Sequence, residues 1–102
     1  TLQWNLLGQW TEIKAGLRKA AALAQGPIES VGVDTWGVDF GLLDAHGNIL
    51  GNPVCYRDPR TEGMLDHAFA RLPRREIFDR TGIQFMALNT LYQLLAMKLA
   101  HS

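Results

Sequence analysis

Apolar residues recur at helical spacing through the first quarter of the chain. Leu6, Trp10, Ile13, Leu17, Ala20, Ala21 and Ala24 share one face, while Lys14, Arg18, Lys19 and Gln25 fall mostly on the other. Asn5 stands where an N-cap belongs, and Gly26-Pro27 supplies a stop, because glycine suits the position past a helix end and proline cannot continue the ladder. The pattern then changes. Residues 30–34 read as a short buried strand, and Val38, Phe40 and Leu42 alternate with Asp39, Gly41 and Leu43 as a second one. Asp44-Ala45-His46-Gly47-Asn48 carries turn chemistry ahead of Ile49-Leu50, which predicts a hairpin. Gly51-Asn52-Pro53 interrupts the run, and Val54-Cys55-Tyr56 reads as one more short strand.

Helical spacing returns in the second half. Leu65, Ala68, Phe69 and Leu72 share a face, and Pro73 suits the first residue of a following short helix anchored by Ile77 and Phe78 and ended at Thr81-Gly82. Asn89 or Thr90 is expected to cap a last helix whose apolar side is Leu91, Leu94, Leu95 and Leu99. The predicted fold class is α/β: a short mixed sheet with a hairpin, flanked by about four helices. Such a small sheet leaves edges open, so self-association through strand edges is expected, and further strands from elsewhere would complete it more naturally.

Composition narrows the function classes. The chain has 102 residues, enough for one domain or part of one, and ten basic residues balance ten acidic ones with no long block of either sign. Bulk-charge binding to nucleic acid or an anionic membrane is therefore disfavoured. No apolar stretch approaches the roughly 20 residues of a transmembrane helix. The single cysteine, Cys55, excludes an internal disulfide framework and a cysteine-based zinc cluster, and fits a reducing cytoplasm. The first residue is Thr1 rather than methionine and the last ones follow a helical pattern; processing or trimming of the ends and a piece of a larger protein are the two explanations open at this point.

Two polar clusters carry candidate chemistry. In Asp34-Thr35-Trp36-Gly37-Val38-Asp39, an indole, carboxylates and a glycine are the parts from which carbohydrate sites are built, the ring covering C–H patches and the carboxylates accepting from hydroxyls. Asp34 and Asp39 would converge as an acid/base pair only across a turn at residues 35–37; the competing reading is a tight strand connection with a core tryptophan and two solvated aspartates. In Arg57-Asp58-Pro59-Arg60, an anion clamp competes with the favoured reading of local pairing and helix capping. His46, His67 and His101 show no metal-ligand spacing, Cys55 reads as a small core residue, and Trp4 and Trp10 read as core. Asn89 is assigned to capping, with Gln84 left between capping and pocket lining. No glycine-rich phosphate cradle is present.

The run from Val31-Gly32-Val33-Asp34-Thr35-Trp36-Gly37 to Leu43-Asp44 resembles a stretch of the rhamnulokinases, members of the FGGY family of carbohydrate kinases. The likeness continues through Gly51-Asn52-Pro53-Val54-Cys55-Tyr56-Arg57-Asp58-Pro59-Arg60-Thr61, then Arg80-Thr81-Gly82-Ile83-Gln84-Phe85 and Asn89-Thr90-Leu91-Tyr92-Gln93-Leu94. Ala87-Leu88 departs from the Pro-Phe expected before Asn-Thr. The resemblance implies a cytoplasmic enzyme that phosphorylates L-rhamnulose at O1 with ATP and Mg²⁺, built from two actin-like (ribonuclease H-like) domains. It implies that residues 1–102 are an internal fragment of the first domain, lacking the phosphate loop and the catalytic aspartate. Asp34 and Asp39 are then not the base, and no catalytic residue, cofactor site or metal site is expected in the fragment. It implies sugar contacts at Gly37 first, with Trp36 and Asp39 beside it and Gln84 further off. A kinase for another ketose or polyol, and a non-catalytic sugar-binding or interaction module, are the alternatives.

Overall fold

The structure is a computed structural model that describes residues 1–100. His101 lies outside the described residues. Four helices and one short turn form in chain order: α1 (Leu6–Leu23), a 3₁₀ turn (Pro59–Thr61), α2 (Met64–Phe69), α3 (Arg74–Thr81) and α4 (Thr90–Leu99).

The helix starts and stops follow the sequence closely. The Asn5 side chain accepts from the Gly8 N–H at 2.9 Å, satisfying one of the orphan donors of the first turn of α1. The helix gives way at Ala24, whose ψ of 138° turns the backbone extended just short of Gly26-Pro27. Pro73 directly precedes α3 at its N-cap rather than within it. Gly82, at φ 63°, ends α3 in the left-handed region, its N–H reaching the Phe78 carbonyl at 2.7 Å.

The apolar stripe of α1 is the first departure. None of its residues is buried, and Trp10, read above as core, is 53% exposed. The helix projects from the rest, and the molecule measures 59 × 28 × 26 Å. Its radius of gyration is 18.4 Å, against about 13 Å for a compact domain of this length.

The expected α/β fold with a mixed sheet is contradicted. No strand forms among the described residues; antiparallel pairing is confined to two isolated bridges, Gln3 with Val54 and Leu43 with Ile49. A strand satisfies its backbone only through a neighbour, and no described segment pairs with residues 30–34, leaving Val33 87% exposed. The hairpin is reduced to its turn. There the Asp44 carboxylate accepts from the His46 and Asn48 N–H groups at 2.8 Å each, Gly47 takes φ 83°, and the Leu50 N–H reaches the Leu42 carbonyl at 3.0 Å. Residues 53–55 pair with the start of the chain instead: Trp4 N–H to Pro53 carbonyl and Cys55 N–H to Leu2 carbonyl, 2.9 Å each.

The core is small and lies in the second half. Ala68 from α2, Ile77 from α3 and Tyr92 from α4 form its buried centre, with Phe69, Leu72, Phe85 and Leu95 packed around them. Of α4, the buried side is Tyr92, Gln93 and Ala96, whereas Leu91 and Leu94 of the expected apolar side are exposed. The reason is that α2 and the 3₁₀ turn both pack on the Tyr92–Ala96 side. Cys55 is buried, as read; Trp4 is half-buried.

Asp58 ties the first residues to this core. One carboxylate oxygen accepts from the Arg60 N–H at 2.9 Å and caps the 3₁₀ turn; the other accepts from the Leu2 N–H. The Leu2 N–H is the main cause that holds this carboxyl below the usual aspartate value of 3.8. A carboxyl so depressed contributes stability that is complete above that ordinary value and is lost as pH falls through the lower folded one.

Two outcomes follow. Ile77→Ala is expected to cost about 2–4 kcal/mol in urea unfolding followed by circular dichroism, because the cavity opens at the centre of the core cluster. Asp58→Asn is expected to flatten the acid limb of a melting-temperature profile recorded downward from pH 6, where the unaltered chain loses stability in the range below about pH 4.

Candidate functional site

Two concavities meet around residues 36–39. The smaller is a cleft of about 220 Å³ bounded by Gly37 and Val38 on one wall, by Ile83, Gln84 and Asn89 on the other, and by Ile77, Thr81 and Tyr92 at its base. The other is a broad, open hollow of about 1000 Å³ between the start of α1 and residues 34–41, reached by Glu12, Asp34, Trp36 and Asp39.

Each wall of the cleft has a local cause. On one side, Gly37 is exposed and a Cβ built there would meet nothing within 4 Å. Packing therefore does not require the glycine, and the backbone edge is open to a ligand. On the other side, Phe85 fixes the segment that carries Gln84. Its ring stands perpendicular to Phe69 at 5.3 Å, with the Arg74 guanidinium 4.6 Å from its centre. The Asn89 side chain donates to the Gln84 carbonyl at 2.8 Å, so Asn89 occupies the N-cap of α4 without capping through its side chain. The residue read as a cap braces the pocket wall. At the base, burial pushes the Tyr92 phenol above its ordinary value.

Of the residues expected to contact a sugar, Gly37 and Gln84 face the same cleft. Trp36 and Asp39 do not. They border the broad hollow, and Asp39 is already engaged: one oxygen accepts from the Trp36 indole N–H at 2.5 Å, the other from the Tyr56 N–H at 2.8 Å. The Trp36 ring is also tilted against Trp4 at 5.5 Å, and the Trp4 indole N–H is buried without an acceptor among the described residues. Asp39 thus anchors Trp36 and Tyr56.

The second polar cluster makes structural bonds, both local and long-range. Asp58 caps the 3₁₀ turn, Arg57 donates to its neighbour's Tyr56 hydroxyl at 2.9 Å, and Arg60 donates to the Gln93 amide oxygen at 2.8 Å. Among the described residues neither arginine forms a close ion pair, which differs from the expected pairing, although the charge of Arg60 helps to lower the Asp58 carboxyl. Among the described residues, no three His, Cys, Asp or Glu side chains gather as a metal site. No helix among them is long and apolar enough to cross a membrane. Gln93 has no assigned role in the sequence reading, where it appears only within the run Asn89-Thr90-Leu91-Tyr92-Gln93-Leu94 and as a polar residue between Tyr92 and Leu94.

Comparison with known proteins places the chain beside one group of enzymes. It is 52% identical over 95 residues to a rhamnulokinase of Klebsiella pneumoniae subsp. pneumoniae and 50% identical over 95 residues to a rhamnulokinase of a second Klebsiella pneumoniae strain. It is 43% identical over 98 residues to a rhamnulokinase of Halalkalibacterium halodurans. These matches take in 92%, 92% and 96% of the chain. The chain spans only about a fifth of each relative, 19%, 19% and 21%. No family model matches it. The resemblance to rhamnulokinases read from the motifs is shown by these identities.

Asp39→Ala removes two acceptors at once. The Trp36 indole and the Tyr56 N–H lose their partner, and the expected result is a red-shifted tryptophan emission with a loss of about 1–3 kcal/mol in urea unfolding. Glu12→Ala, on the far side of the same hollow, is the control expected to leave the emission in place.

Proposed function

We propose that the chain is a segment of an FGGY-type carbohydrate kinase that transfers the γ-phosphoryl group of ATP to O1 of L-rhamnulose in cytoplasmic rhamnose breakdown. The observation that carries this reading is the 43–52% identity to rhamnulokinases over nearly the whole chain. The cleft supports it: an open glycine edge at Gly37 faces Gln84 across a space suited to a small polyol. In this reading Gly37 and Gln84 line the sugar subsite, and Trp36 and Asp39 shape the loop beside it.

Phosphoryl transfer rests on in-line positioning and on stabilising charge at the transferring group, with Mg²⁺ supplying part of that charge when bound. In this reading the ion is held by the roughly four-fifths of the related enzymes that this chain does not span. The proton acceptor for the sugar hydroxyl is assigned there too, while Asp39 braces Trp36 and Tyr56. The segment contributes sugar contacts and is inactive by itself. Association between copies of the excised segment through its unpaired extended backbone belongs to the same reading.

The test uses the full-length polypeptide that carries this segment, assayed for ADP release with L-rhamnulose, xylulose and glycerol. L-rhamnulose is expected to give the highest kcat/KM. A higher value for xylulose or glycerol would assign a different sugar kinase, and no turnover with any of them a non-catalytic module. Gly37→Ala is expected to raise the sugar KM about tenfold while leaving the melting temperature in place, since the added methyl enters only ligand space. The 102-residue chain alone is expected to release no ADP above a blank, and confirmed turnover would overturn its assigned dependence on the rest.

A further inference from the structure

Gln93 lies in the first turns of α4 and is only 1% exposed. An amide so buried needs a partner for each polar atom, and this one has them. Its Nε2 donates to the Val38 carbonyl at 3.0 Å and to the Leu88 carbonyl at 2.7 Å, while its Oε1 accepts from Arg60 Nη2 at 2.8 Å. The orientation is fixed by chemistry: reversing the amide would set an oxygen against two carbonyls and an NH₂ against a guanidinium, none of which can pair.

One of the two carbonyls belongs to Val38, which lines the 220 Å³ cleft; the other belongs to Leu88, the neighbour of the lining residue Asn89. Val38 follows Gly37 directly. Leu88 precedes Asn89, whose side chain holds the Gln84 carbonyl. We propose that Gln93 is a positioning residue, a buried cross-tie that sets the separation between the Gly37 edge and the Gln84 wall and thereby the affinity of the cleft for its sugar. The proposal rests on the kinase reading for the identity of the ligand, while the cross-tie itself stands on the three hydrogen bonds. Gln93 touches no substrate. Arg60 holds the amide oxygen and is in turn fixed by its own N–H on Asp58.

The full-length polypeptide is the material for the test, with Gln93→Glu and Gln93→Met. Glutamate keeps the length and the Arg60 partner but removes both donors; methionine keeps the length and removes all three bonds. Sugar KM is expected to rise about tenfold in whichever variant keeps the unaltered melting temperature, with kcat and the ATP KM within about twofold. Amide hydrogen exchange is expected to quicken at residues 37–39 and 88–90 together, with α3 unchanged. An unchanged sugar KM in a folded variant, or faster exchange at one wall alone, would overturn the proposal. If neither variant folds, Arg60→Met at its half-buried position decides: a sugar KM raised about threefold supports the cross-tie and an unchanged one refutes it. Should the unaltered polypeptide phosphorylate no sugar, the kinase reading falls, and the exchange result still decides whether Gln93 couples the two walls.

Discussion

One buried amide connects parts of the chain that lie far apart in sequence. Gln93 holds the carbonyls of Val38 and Leu88, and Arg60 holds Gln93. From Arg60 the connection runs to Asp58 and from Asp58 to the backbone of Leu2. Each such bond contributes only about 0.5–1.5 kcal/mol net, yet losing one partner leaves a desolvated group unpaired and costs more. The network therefore restrains geometry more than it adds stability. Without it the chain from 1 to 58 would meet the helical half mainly through scattered contacts, because the buried centre of the core cluster, Ala68, Ile77 and Tyr92, comes from α2, α3 and α4.

Stability is accordingly uneven along the molecule. The second half buries Ala68, Ile77 and Tyr92 among aromatic and aliphatic neighbours, so its helices gain from tertiary packing. α1 closes its own hydrogen bonds along 18 residues but buries none of them. It is hydrogen-bonded to the rest at its N-terminal end, where the Leu6 N–H meets the Asn52 side chain at 3.3 Å and Trp4 pairs with Pro53. The elements that position the cleft, α3, α4 and residues 83–89, belong to the well-packed half. Only its Gly37–Val38 wall comes from the loosely held half, and that wall is the one Gln93 secures.

The difference between helices and strands explains what was legible in the sequence. A helix satisfies its backbone within its own residues, so local signals suffice: Asn5 at the start of α1, Gly82 at the end of α3 and the turn residues around Asp44 all act as their chemistry dictates. A strand borrows its hydrogen bonds from another segment, and the alternation at residues 38–43 carries no information on whether that segment is present. Burial is likewise a relation between elements. The stripe of α1 and the Leu91–Leu94 side of α4 are apolar by period and exposed by circumstance, whereas Tyr92, Gln93 and Ala96 are buried because α2 and the 3₁₀ turn lie against them.

The candidate site shows the same limit at the scale of four residues. Trp36, Gly37, Val38 and Asp39 are consecutive, and as a motif they read as one sugar-binding patch. In three dimensions they divide. The Trp36 ring folds back onto Asp39 and Trp4, toward the broad hollow, while the Gly37–Val38 backbone faces α4 across the smaller cleft. The split follows from hydrogen-bonding capacity. The Asp39 carboxylate has two oxygens and spends them on Trp36 and Tyr56, so the loop is braced on one side by a charged acceptor. On the other side the half-buried Val38 carbonyl needs a donor, and Gln93 is the buried donor that reaches it. A loop held from both sides in this way presents its glycine edge in one position. Its acidic residue is thereby turned to bracing the loop.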